Sequence, residues 1–208
     1  MIILGIESST KNGSIALLED DILLSQINFN DSLNHHSEKI FTILDFMFQD
    51  VGCGLNDIGL IGVNIGPGSF TSLRVGLSLA KGLSFSKGIP LKGVDSLSII
   101  AYQSGIECGS ILSIIDAKRG KYYTAIYNDL KILHSPELLN LDKVISLIKE
   151  NNINFISGIF DRNIFSGLGL IQIEQKYIFA NSVAELVRLK YSVDKKNELN
   201  SIEPLYLR

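Results

Sequence analysis

The chain has 208 residues, 46% of them hydrophobic and 20% charged, with a formal net charge of −3. That balance fits a folded globular protein of one large or two small domains. It argues against a chain that grips nucleic acid unaided, because phosphate binding needs clustered Lys and Arg, and the basic clusters Lys118-Arg119-Gly120-Lys121 and Lys195-Lys196 are short.

The first predicted strand runs from Ile2 to Glu7. A polar turn, Ser8 to Gly13, leads to a returning strand over Ser14–Leu18, and Asp20-Asp21 turns the chain into a third strand, Ile22–Phe29. A helix is expected from about Ser37 to Val51, with Ile40, Ile43, Leu44, Met47 and Val51 on one face, widened by Phe41 and Phe48, and with Phe46 on the polar side. A buried strand, Leu60–Ile65, then turns through Gly66-Pro67-Gly68 into a second helix capped by Ser69 or Thr71. A short strand over Ile89–Val94 and a helix over Ser96–Gln103 close the first half.

A similar theme restarts after residue 105. Ser110–Asp116 and Tyr122–Tyr127 read as a hairpin and Lys131–Leu133 as a third strand. Leu141–Asn151 reads as a helix, Phe155–Ile159 as a strand and Ser182–Tyr191 as a helix. Two halves built this way suggest an α/β protein of two duplicated lobes with a cleft between them. The expected lobes are residues 1–104 and a smaller 105–208, whose tail packs back on the first.

The helix after Gly68 is unusually apolar. Only Arg74, Ser78 and Lys81 form a polar stripe; the remainder is apolar or small, and Ser72, Gly76 and Ala80 fall at i, i+4, i+8. A helix lying on a sheet needs an apolar stripe of only a little over ~100°. The excess, together with the face of the preceding helix, predicts a surface covered by a second chain. Its expected members are Ile40, Ile43, Leu44, Met47, Phe70, Leu73, Arg74, Gly76, Leu77, Ala80 and Lys81. The plainer reading packs the small-residue track only on the chain's own sheet or on the 37–51 helix.

Other chemistries find little support. Cys53 and Cys108 are too few for a disulfide framework or a zinc knuckle. His35 and His36 are adjacent and diverge by ~100° on a helix, which does not suit a metal. Met1 runs straight into a strand and no apolar run approaches membrane-spanning length, so a cytoplasmic protein is expected.

The opening Leu4-Gly5-Ile6-Glu7-Ser8-Ser9-Thr10 resembles the bacterial TsaB (YeaZ) family. So do His36-Ser37-Glu38, the Gly66–Leu83 block, the Asp116–Tyr123 hairpin and the closing Glu203-Pro204-Leu205-Tyr206-Leu207-Arg208. Glu7 stands where that family usually has Asp, and Ser72 where it usually has Gly. The resemblance implies the two-lobed fold of actin, sugar kinases and Hsp70 ATPase domains (ASKHA), with a ribonuclease H-like core. It implies a non-catalytic subunit that holds TsaD active for threonylcarbamoyl transfer to N6 of adenosine 37 in tRNAs reading codons that begin with A. TsaE, an ATPase, would join the complex; tRNA would be met only through it, and the chain alone would form a homodimer on the same patch.

In this fold, two hairpin loops cradle ATP phosphates and a carboxylate at each strand end orients hydrated Mg²⁺. Glu7, Ser9 and Thr10 would be the first loop and Asp116 with Gly120 the second. Both read as vestigial, because long side chains flank Gly120. No cofactor is expected for the isolated chain; ATP or ADP would bind only in the assembly. The alternatives are a small ATP-dependent phosphotransferase of the same fold and an M22-like peptidase, although no serine sits in a Gly-x-Ser-x-Gly elbow.

Overall fold

A computed structural model describes residues 1–30 and 36–207, without the side chains of residues 36–39. The chain forms two compact units. The first comprises Met1–Asp95 and Ile178–Leu205; the second comprises Ser96–Tyr177 and the residues from Tyr206 on. Packing therefore draws the boundary after Asp95 rather than after residue 104. It also returns the last long helix to the first unit.

The first unit contains a five-stranded sheet in the order β3-β2-β1-β4-β5. Its strands are β1 (Ile2–Glu7), β2 (Asn12–Glu19), β3 (Ile22–Asn30), β4 (Ile58–Asn64) and β5 (Leu91–Val94). β1, β2 and β3 pair antiparallel, while β1, β4 and β5 pair parallel. β1 is a continuous apolar run because helices cover both faces of the sheet. α1 (His36–Val51) and α2 (Phe70–Lys87) pack with the core cluster that includes Leu4, Ile6, Leu17 and Ile61. On the other face lies α5 (Ala180–Val193), so close that a Cβ on Gly5 would fall 2.2 Å from the Ala180 carbonyl oxygen. Phe179 precedes α5 without a side-chain cap. Ser14 Oγ and Gln26 Oε1 accept from the N–H groups of Ala180 and Asn181 instead, tying the helix to β2 and β3.

The second unit repeats this plan in the order β10-β9-β6-β7-β8. The strands are β6 (Ser110–Lys118), β7 (Lys121–Asn128), β8 (Lys131–Asn140), β9 (Phe155–Ile159) and β10 (Ile171–Glu174). Again three are antiparallel, and two more join the first of them in parallel. The expected duplication is thus present at the level of topology. α3 (Ser96–Gln103) and α4 (Leu141–Glu150) complete the unit. α4 packs Val144, Leu147 and Ile148 into a cluster with Phe160 and Phe165, whose rings meet edge to face.

The outer edge of β5 is covered by the segment after α5. Glu198 N–H donates to the Leu91 carbonyl, Asn197 Oδ1 accepts from Leu91 N–H, and Glu198 Oε2 accepts from Gly93 N–H. Lys92, 2% exposed, reaches Asp194 at 3.1 Å and Glu198 at 3.2 Å. Burial alone would pull its ammonium down, but the two carboxylates outweigh that and hold it above the ordinary lysine value. Further along, Leu205 N–H donates to the Ile65 carbonyl, so this strap runs from β5 to the turn before α2.

Candidate functional site

The parallel register that places Ile6 beside Val63 brings the ends of β1 and β4 together, and with them Glu7 and Asn64. Glu7 is fully buried. Its Oε1 accepts from Ser9 N–H and Ser9 Oγ–H, both at 2.6 Å, and its Oε2 accepts from Asn64 Nδ2. Burial pushes the carboxyl up to about 7, against the opposing pull of these donors. Asn64 turns its Oδ1 to the Gly66 N–H at 2.8 Å, and Ser69 N–H donates to the Ser9 carbonyl at 2.6 Å. Gly68 makes this doubling-back possible, since a Cβ there would lie 2.3 Å from the Ser9 oxygen. Asn64 was not among the predicted site residues. The signal for it was a lone amide at the end of an apolar strand.

These bonds bear on the nucleotide loops expected from the fold. In the first, Ser8 and Ser9 are 1% exposed, Ser9 N–H is spent on Glu7, and Asn12 N–H is spent on Thr10 Oγ1. In the second, Asp116 accepts from Lys118 N–H and, 3.0 Å away, from Lys118 Nζ. Lys118, Arg119 and Gly120 all have left-handed backbones. A phosphate cradle needs outward-facing amides and a carboxylate open to hydrated metal. The residues of both loops fit that requirement poorly. Among the described residues no cluster of His, Cys, Asp or Glu has metal-holding geometry. His35 and the side chain of His36 lie outside the described residues.

The predicted partner surface divides sharply. Ile40, Leu44, Met47, Leu73, Gly76, Leu77 and Ala80 are buried in the chain's own core. The Ser72–Gly76–Ala80 track faces inward, and a Cβ on Gly76 would lie 2.1 Å from Ser8 Oγ. These residues are therefore core, because the sheet, α1 and the Ser8–Ser9 loop already cover that side of α2. Ile43 and Lys81 are half-buried, and Phe70 and Arg74 are exposed. Ser69 precedes α2 without capping it through its side chain, and its Oγ meets Ser72 Oγ instead.

What remains outward is a groove of about 510 Å³ between α1 and α2, lined by Ile40, Phe41, Phe70, Arg74, Val75 and Leu79. Phe41 and Phe70 stay 55% and 53% exposed. The Arg74 guanidinium lies 3.8 Å from the centre of the Phe70 ring, a cation–π pair one helical turn apart. Phe41 belonged to the predicted apolar face but was not among the residues expected to touch a partner.

Residues 24–204 match the family described as TsaD: tRNA N6-adenosine threonylcarbamoyltransferase. The chain is 35% identical over 127 residues to the Bacillus subtilis (strain 168) tRNA threonylcarbamoyladenosine biosynthesis protein TsaB, covering 61% of this chain and 55% of that one. It therefore spans only about half the length of that relative. Against TsaB of Haemophilus influenzae it is 25% identical over 100% of this chain and 94% of the other. The solved structure of YeaZ from Pseudomonas aeruginosa superposes with a TM-score of 0.82 at 19% identity, covering 99% of each chain. A ROK hexokinase from Thermus thermophilus and the activator of the 2-hydroxyisocaproyl-CoA dehydratase from Clostridium difficile share the fold, with TM-scores of 0.55 and 0.57 at 9% and 8% identity. Among the described residues no helix is long and apolar enough to cross a membrane.

Proposed function

The chain belongs to the TsaB/YeaZ family within the wider TsaD family, and on that premise we propose that it is a non-catalytic subunit of tRNA threonylcarbamoyladenosine synthesis. It docks a TsaD-type catalytic chain through the α1–α2 groove and holds that chain active for transfer to adenosine 37. TsaE joins the resulting complex, and tRNA is met only through it. Without TsaD, the same face pairs two copies of the chain. The isolated chain neither binds nor turns over ATP.

The observation that carries this reading is the groove. Two half-exposed phenylalanines and a stacked arginine flank a concave apolar surface between α1 and α2. Aromatic and arginine anchors around a pocket are what dominate protein–protein binding energy. A heterodimer fits because TsaD shares this chain's family and would bring matching helices, with about 800 Å² buried on each partner. The closed Ser8–Ser9 loop and the Lys118-bound Asp116 support the non-catalytic reading.

The test uses residues that are exposed in the isolated chain. Phe41→Asp and Phe70→Asp should each weaken capture of the same organism's TsaD at least thirtyfold, about 2 kcal/mol, through lost ring burial and a desolvated charge. Both should leave the melting temperature within about 2 °C of the parent. Threonylcarbamoyladenosine formation by the reconstituted proteins should fall with capture. Undiminished capture by both variants would refute the assignment.

A further inference from the structure

We propose that Glu7 and Asn64 are positioning residues for the docking face: their shared hydrogen bonds lock the turn over residues 64–69 against the Ser8–Ser9 loop and so fix where α2 begins. This rests on the reading of the α1–α2 groove as the docking face. The bonds form a closed circuit. Ser9 donates twice to Glu7, Asn64 donates to the other Glu7 oxygen and accepts from Gly66, and Ser69 donates back to Ser9. Each end of the circuit is a strand end, so the turn has little room to slide. Gly68 removes the remaining slack, because the Ser9 backbone occupies the space a side chain would need.

The circuit ends one residue before the groove begins. Phe70 follows Ser69 directly and Arg74 stacks on Phe70, so a shift of Ser69 moves both groove-lip residues. A fully buried carboxyl is costly to the fold, and an apolar side chain would fill the same space without that cost. What the carboxyl supplies in return is a geometry with one solution. Asn64 must point its amide nitrogen at Glu7, because its oxygen is needed by Gly66.

That donor order can be broken and then rebuilt. Glu7→Gln places an amide nitrogen opposite the Asn64 nitrogen, and flipping Asn64 only transfers the conflict to Gly66 N–H. Adding Asn64→Asp reverses the pair, so that the new amide at position 7 donates and the new carboxylate at position 64 accepts from both sides. Hydrogen–deuterium exchange on the isolated chain reads the turn, and capture of TsaD reads the face. Glu7→Gln should speed exchange over residues 66–75 about tenfold and weaken capture about tenfold, with α4 and β9 unchanged. The Glu7→Gln/Asn64→Asp chain should return both to within about threefold of the parent. Ser9→Ala removes only one donor, should fold readily, and should raise exchange in the same window about threefold.

Normal exchange in Glu7→Gln, or a double variant no better than the single one, overturns the positioning role. If Glu7→Gln does not fold, recovery of folding in the double variant supports the role and failure of both Ser9→Ala and the double variant to follow the pattern overturns it. Exchange that tracks the variants while the parent chain captures no TsaD removes the docking reading but leaves the lock. Loss of capture on Phe70→Asp, with Glu7→Gln indistinguishable from the parent, does the reverse.

Discussion

The two units share a strand plan but use their first hairpin loop in opposite ways. In the first unit the loop after β1 is folded inward, with Glu7, Ser8 and Ser9 buried and the turn over 66–69 lying against it. In the second unit the loop after β6 stands in solvent, and its carboxylate, Asp116, is held by its own neighbour Lys118. The difference teaches that equivalent topology does not preserve a loop's role. What surrounds the loop decides whether its polar groups serve the core or the surface.

The largest expected contrast is steric. Gly68→Ala presses a methyl group onto the Ser9 backbone and should cost the first unit about 3 to 4 kcal/mol in chemical denaturation. A substitution with so large an effect on the inward loop has no equivalent at the tip of the outward one. If Gly68→Ala melts like the parent, the two loops are not as different as described.

Next comes pH. Folded Glu7 keeps its proton up to about pH 7, the Ser9 hydroxyl 2.6 Å away turning to accept it while Asn64 still donates to the other oxygen, whereas an unfolded glutamate releases it near 4.5. The folded chain therefore holds more protons between those values. Stability should fall as pH rises from about 4.5 to about 7 and level off above, by roughly 3 kcal/mol. Denaturant titrations across that range should show the slope in the parent and not in Glu7→Gln.

Smaller effects belong to the second loop. Gly120 has a φ of +71° and open space around it, so Gly120→Ala should cost only about 1 kcal/mol, from backbone strain alone. Lys118→Ala removes an exposed ion pair and should shift stability by about 0.5 kcal/mol or less in a thermal melt. A loss of several kcal/mol from either would mean that the outward loop is structurally committed after all.

Much of the fold was legible. β1, α3 and β9 fall where alternation and apolar runs placed them, because each is a short element with unambiguous ends. β8 is longer than the three residues expected, since Pro136 and register shifts opposite Thr124 and Ile126 disguise an edge strand. β10 was missed because four residues with two isoleucines look like any loop. The site was less legible. Periodicity identified the apolar excess of α2 but not what covers it, so Gly76 and Leu77 read as partner surface although they face Ser8 and the core. Asn64 and the closed first loop depend on a turn doubling back across sequence-distant residues, which no local pattern encodes.

The strap over β5 carries a practical consequence. Asn197, Glu198 and Lys190 satisfy the outward N–H and C=O groups of Leu91 and Gly93. A protease nick ahead of Asp194 would free Asn197 and Glu198 from the Leu91 groups and the Gly93 N–H, and leave a raw β margin able to recruit strands from neighbouring molecules. Clipped material should therefore cloud on standing, and turbidity would reveal proteolytic damage before any assay of function did.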